Sequence, residues 1–233
     1  MLVEYFKQYI KITRGVSDST VKHYITAINT INTLLSKSNF PISDVFCVKS
    51  LPELNAVKTF LEQNEEFIQK DSVGNRMYSV AFNHFYRFSC EDHDFYKTKI
   101  DKMDIKIPKL KVVETVHYTR NQIISAHAIE AADYQCENHA EHKTFTSAST
   151  NKPFMEGHHL IPMKKQSEFD VSLDVYANII CLCPICHRLL HYGITSEKEY
   201  LADKLFENRQ TRLIHSGIDI SRNDFRYLIG VNN

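Results

Sequence analysis

The chain has no net charge: 28 Lys plus Arg are balanced by 28 Asp plus Glu over 233 residues. A bulk basic excess, a common footprint of nucleic-acid binders, is therefore absent. Local basic patches remain open, because counterion release depends on the residues at the phosphates and not on the total. Also absent is any apolar run near the ~18 residues of a membrane span, so no membrane partner is expected. The first segment, MLVEYFKQYIKITRG, is amphipathic, carries Glu4 and does not read as a signal peptide. That predicts a cytoplasmic protein. There is no internal repeat and no low-complexity segment. A hydrophobic share of 43% and a charged share of 24% fit an ordinary globular protein, and the length suits one large or two small domains. In a reducing compartment, clustered cysteines point to a metal and not to disulfides. Four of the six cysteines lie between 136 and 186. Cys47 and Cys90 stand alone in apolar surroundings and are expected in a core.

The first ninety residues read as helical. Tyr5, Phe6, Tyr9 and Ile10 recur at helical spacing before Gly15. Ser17 or Ser19 can cap a second helix with Val21, Tyr24, Ile25, Ile28, Ile31 and Leu34 on one face. Pro52 suits the first turn of a third, running to about Gln69. Gly74 and Asn75 precede a fourth, with Met77, Val80, Ala81, Phe85 and Phe88 inward. This predicts a helical domain over 1–96. Residues 97–118 interleave Lys97, Lys99, Lys102, Lys106, Lys109 and Lys111 with apolar residues around Pro108. They read as a basic linker, either solvated or lying along a phosphate backbone. Thr119 is expected to cap a helix to about Tyr134. Two strands are expected at 143–149 and 154–160, joined by a turn around Asn151, Lys152 and Pro153. Residues 164–177 then form a loop. Helices follow from Pro184, from Thr195 or Ser196, and from Ser221.

The chemistry concentrates in EGHHLIPMKKQSEFDVSLDVYANIICLCPICHRLLH, residues 156–191. His158 and His159 are adjacent at the end of a predicted strand, where successive side chains face opposite ways. His187 and His191 are four apart and share a helix face, so both can reach one metal with His158. Asn178 follows His159 by nineteen residues and precedes His187 by nine. Cys183 and Cys186 have zinc-knuckle spacing and need two more ligands. Cys136 is the third, and His139 or His142 the fourth. Cys181 alternates away from Cys183 and is expected in the core. Glu156 shares a strand face with His158 and could orient an imidazole. Lys164, Lys165 and Arg188 border the site as possible phosphate contacts.

This pattern resembles the HNH endonuclease motif, a hairpin and helix closed around one divalent metal. The resemblance covers roughly the last hundred residues. It implies an α+β fold: an N-terminal all-helical domain followed by a zinc-stabilised ββα-metal nuclease domain over 119–233. By similarity to colicin-like members, His158 is a metal ligand with His187 and His191, and His159 is the general base. Asn178 resembles the motif's central Asn, whose amide fixes the loop that orients the base. Many members carry Asp where this chain has His158 and take magnesium readily. Three imidazoles favour zinc, nickel or manganese, so the catalytic divalent metal is left as Mg2+, Mn2+, Ni2+ or Zn2+. The segment CENHAEHKTF resembles restriction-type members in which the histidine before the Lys-Thr-Phe run is the structural-zinc ligand, which favours His142 over His139.

The stretch VSDSTVKHYITAINTINTLL resembles the helical core-binding domain of phage-integrase-like proteins. GNRMYSVAFNHFYRF resembles a segment preceding HNH domains in restriction-like proteins. Together these imply a metal-dependent endonuclease of double-stranded DNA, a restriction enzyme, with the helical domain for targeting and a homodimer as one possible state. Alternatives are a nicking, homing or repair nuclease of the same class, or a non-catalytic zinc module that binds DNA or protein. The paired His158 and His159 argue against the last, since a structural knuckle has no use for a base beside a ligand.

Overall fold

The computed structural model describes residues 2–109 and 120–231. The chain divides into two compact units, Met1–Asp92 and His93–Asn233.

The first unit is helical: α1 Leu2–Arg14, α2 Asp18–Lys37, α3 Leu51–Gln63, α4 Glu65–Val73 and α5 Met77–Cys90. Ser17 caps α2 by accepting from the Thr20 amide. The expected third helix is two. Asn64, extended at ψ 112°, ends α3 and caps α4 through the Phe67 amide. An Asx side chain competes with the helical backbone in this way. The core is aromatic. Phe6 and Phe46 each meet Phe85 edge to face, at 5.3 and 5.4 Å between ring centroids. On α5 the inward face is Ala81, Phe82, Phe85 and Phe88, whereas Met77 and Val80 are exposed. The helix starts one residue after Arg76, in the left-handed region at φ 60°, and its first turn lies outside the packed face. Cys47 is exposed and Cys90 half-buried. Cys47 ends a short 3-10 turn with its thiol on Asp44, so neither thiol is a core residue.

The second unit begins with α6, His93–Lys99, packed on α7, Gln122–Ala131. Residues 97–118 are not a free linker over their described part. Ile100, Met103 and Ile107 are buried, Asp104 is paired with Arg212, and the Ser172 amide donates to the Ile107 carbonyl at 2.7 Å. The interleaved apolar residues are anchors. The remainder of that segment, with Thr119, lies outside the described residues; α7 is capped by Asn121.

The sheet is β1 Glu156–His159 antiparallel to β2 Ile179–Leu182, with His159 opposite Ile179 and Glu156 opposite Leu182. The expected partner strand at 143–149 is thus replaced by 179–182. Residues 143–149 keep one bridge, Thr146 to Pro153. The reason is burial. Ile179, Ile180, Cys181 and Leu182 are all 0% exposed, while KTFTSAS has too little apolar surface to hold a strand against a core. Helix α7 lies across β1 so closely that a Cβ on Gly157 would sit 2.1 Å from Ser125 Oγ. Helices α8 Pro184–Tyr192, α9 Thr195–His215 and α10 Arg222–Ile229 complete the unit. Arg209 is buried and donates to both oxygens of Glu137 and to the Tyr176 carbonyl. Arg209, Arg212, Arg222 and Arg226 all pair with carboxylates, so each of these C-terminal arginines has its charge partnered within the chain.

Candidate active site

Two clusters of metal-ligand side chains flank the sheet and α8. In the first, one ligand atom each from Cys136, His142, Cys183 and Cys186 lies within 4.8 Å of the others. Cys136 follows α7. Cys183 caps α8, accepting from the Cys186 amide at 3.4 Å, which brings both thiols to one helix end. His142 Nδ1 stands 3.5 Å from Cys183 Sγ and 3.4 Å from Cys186 Sγ. Legs of 2.3 Å to sulfur and about 2.05 Å to nitrogen at a tetrahedral centre imply an S···N separation of about 3.6 Å. The donor set and its spacing therefore fit zinc. His139 is outside the set, stacked on His142. Burial would push the Cys136 thiol up, but backbone donors from Cys183, His139 and Asn138 bring it below its ordinary value, whereas burial pushes the Cys186 thiol up to about 12. Asn138 Nδ2 donates to Cys186 Sγ at 3.2 Å, and Lys204 holds Asn138. Cys181 is buried outside the cluster, as expected.

In the second cluster, ligand nitrogens of His158, His187 and His191 lie within 4.8 Å of one another. Their rings meet nearly edge to face at 5.0, 5.1 and 4.9 Å. The Nε2 atoms of His187 and His191 are 3.3 Å apart. A tetrahedral ion with legs of 2.0–2.1 Å spaces two nitrogens by about 3.3–3.4 Å, so this set also fits a metal. Glu156 Oε2 accepts from His187 Nδ1 at 2.5 Å. That bond fixes the tautomer and leaves Nε2 bare for a metal. Burial first, then the imidazoles of His187 and His191, push the His158 pKa down to about 3. Burial and His187 lower His191 as well. Both rings are neutral, as ligands must be.

His159 turns the other way from His158 and is 7% exposed. Its Nε2 is 2.8 Å from Oδ1 of Asp174, which is 1% exposed. A carboxylate only accepts, so Nε2 carries the proton and Nδ1 keeps a free lone pair. Nδ1 is buried and has no hydrogen-bond partner among the described residues. Asp174 Oδ2 accepts in turn from the Asn121 amide at 2.8 Å, which ties the histidine to the start of α7. Asn178 is 0% exposed. Its Oδ1 accepts from the Ile161 amide, and its Nδ2 donates to the Ile161 and Leu173 carbonyls at 2.9 and 2.8 Å. Both amide hydrogens and one lone pair of Oδ1 are spent closing the loop between the strands. Asn178 is thus tied to the loop backbone, with no surface exposed to solvent.

Residues 135–193 match the HNH endonuclease family. This segment is an HNH endonuclease domain. A curated relative, the type IV methyl-directed restriction enzyme EcoKMcrA of Escherichia coli (strain K12), is 31% identical over 91 residues. That alignment covers 39% of this chain and 30% of the relative. No solved structure matches the chain.

Around the HNH domain, Lys164 and Arg188 are exposed. Lys165 is paired with Glu168 at 2.8 Å, so it is the least available of the three lysine and arginine candidates. Two residues of the site carry no sequence signal of their role. Asp174 is one aspartate in a loop, and only the chain's return beneath β1 brings it to His159. Asn138 is legible only once the zinc cluster is assembled.

Proposed function

We propose that this chain is a metal-dependent endonuclease of the restriction type that hydrolyses phosphodiester bonds in double-stranded DNA. The observation that carries the reading is the convergence of His158, His187 and His191 beside His159, an imidazole whose Nε2 is bound to buried Asp174. A divalent ion held by the three imidazoles would absorb charge developing on the phosphate. The remaining work belongs to the chain. His159 Nδ1 takes the proton of the attacking water, as general base. Asp174 keeps the proton on Nε2 and stabilises the imidazolium that results. Asn178 holds the loop behind His159, and Glu156 holds His187. Lys164 and Arg188 offer charge to the phosphates. Three neutral imidazoles suit manganese, nickel or zinc better than magnesium. Cys136, His142, Cys183 and Cys186 would hold a zinc, which would pin the start of α8, and so the ligand helix, to the segment after α7.

The description of the E. coli relative as a methyl-directed restriction enzyme supports a restriction role and makes methylated DNA the first substrate to test. The helical unit is read as the targeting domain. Double-strand cutting with one site per chain favours a homodimer. The test is digestion of methylated and unmethylated plasmid with manganese, nickel, zinc or magnesium, with and without chelator. Chelator-sensitive cleavage is expected. Plasmid left intact by excess protein in all four metals would overturn the reading.

A further inference from the structure

Next to the three imidazoles the second unit contains a cavity of about 360 Å³. His158 and His191 form part of its wall. Its floor is apolar: Leu160 and Met163 from the loop after β1, half-buried Leu190 from α8, and half-buried Ile229 from α10 above the buried Phe225. Three cations surround it, Arg120, Lys164 and Lys198. None of the three has a carboxylate partner among the described residues, whereas Lys165, Arg209, Arg212, Arg222 and Arg226 of the same unit are each ion-paired. In a chain with no net charge, three unneutralised cations on one apolar cavity set up a local field that favours an anion. The complementary ligand therefore has an apolar body and negative charge, and it reaches the metal-ligand imidazoles. The volume is at the lower end of small-molecule sites. It is too large for a phosphate alone and far too small for a duplex.

We propose that this cavity receives one nucleotide of the substrate strand, its base against the half-buried side chains of Leu190 and Ile229 and its flanking phosphates on Arg120, Lys164 and Lys198. That seating brings the neighbouring phosphodiester to His158 and His191. The proposal rests on the endonuclease reading and deepens it. A base held there has left its stack, so unpaired or mismatched positions enter at lower cost than paired ones.

The full chain, without added divalent metal, is titrated with deoxyadenosine 5′-monophosphate and followed by NMR shifts, which read binding even at millimolar strength. Deoxyadenosine and inorganic phosphate are the controls. The monophosphate is expected to bind at least about tenfold more tightly than either part. Ile229→Trp fills the cavity from α10, and Lys198→Glu reverses one charge at its rim. Each is expected to weaken the monophosphate about tenfold or more, with melting temperature and zinc content unchanged. Lys198→Glu retains the test if the tryptophan variant fails to fold. Binding no tighter than that of phosphate, or undiminished in folded variants, would overturn the proposal. Plasmid cleavage measured in parallel separates the two readings. Cleavage without nucleotide binding removes the pocket and leaves the nuclease. Nucleotide binding without cleavage upholds the pocket and removes the nuclease.

Discussion

At the scale of single residues, the two adjacent histidines are distinguished by what holds them. His158 is held neutral by burial and by two neighbouring imidazoles, and His159 is polarised by a carboxylate. That they face opposite ways was legible, because adjacency at a strand end forces it; the ligand and base roles proposed for them come from the resemblance to colicin-like members. The tautomer was not legible, because it depends on Asp174, fifteen residues away in a loop. A paired substitution tests the base assignment. His159→Ala is expected to lower cleavage by ~10²–10⁴ while the melting temperature and bound metal stay close to those of the parent. Asp174→Asn keeps an acceptor for the Asn121 amide. It can turn an amide N–H toward His159 Nε2 and so favour the wrong tautomer. Its kcat is expected to fall about 10²-fold or more with KM nearly unchanged. A merely structural Asp174 would instead shift melting and leave kcat per folded molecule intact.

At the scale of elements, the site depends on how closely β1, α7 and α8 approach one another. Gly157 is the position where β1 and α7 meet, and Ser125 Oγ occupies the space a Cβ would need. Gly157→Ala is expected to cost about 1–3 kcal/mol. Adding Ser125→Ala removes the clashing oxygen and leaves a 3.4 Å contact to the Ser125 Cβ, so the double variant should recover much of the loss. A denaturant-unfolding cycle showing simple additivity would contradict the close approach. The start of α8 depends instead on Cys183 and Cys186. Cys183→Ser is expected to lower zinc content from one per chain and to lower the melting temperature together with activity, because such a metal couples to folding. An unchanged zinc content would remove Cys183 from the ligand set. Helix positions were largely legible from caps and periodicity. The strand pairing was not, because β2 has no alternation to read. Its four residues are buried on both faces, and a continuous apolar run of that length does not identify its partner.

At the scale of the molecule, a boundary drawn from composition and one drawn from packing differ by four residues. The lysine-rich stretch from Lys97 onward reads as a change of domain, yet the second unit begins at His93. Helix α6 packs on α7, with Phe95 and Tyr96 buried and Tyr96 stacked on His127 at 3.8 Å. His127 in turn meets the hydroxyl of Tyr176 at 2.8 Å, two residues before Asn178. The support of the HNH loop therefore reaches back into α6. A fragment of residues 93–233 is expected to fold with its zinc, whereas a fragment of residues 97–233 loses the Phe95 and Tyr96 packing and should melt well below it. If the helical unit serves targeting, the longer fragment should still cut, weakly and without preference. Its DNA affinity should fall, and its dependence on salt should become shallower, since fewer phosphates are contacted. The slope of log affinity against log salt is read beside the oligomeric state of each form, because a monomer that replaces a dimer also neutralises fewer phosphates per binding event. Site-specific cleavage by residues 93–233 at the affinity of the whole chain would show that the first unit has another task.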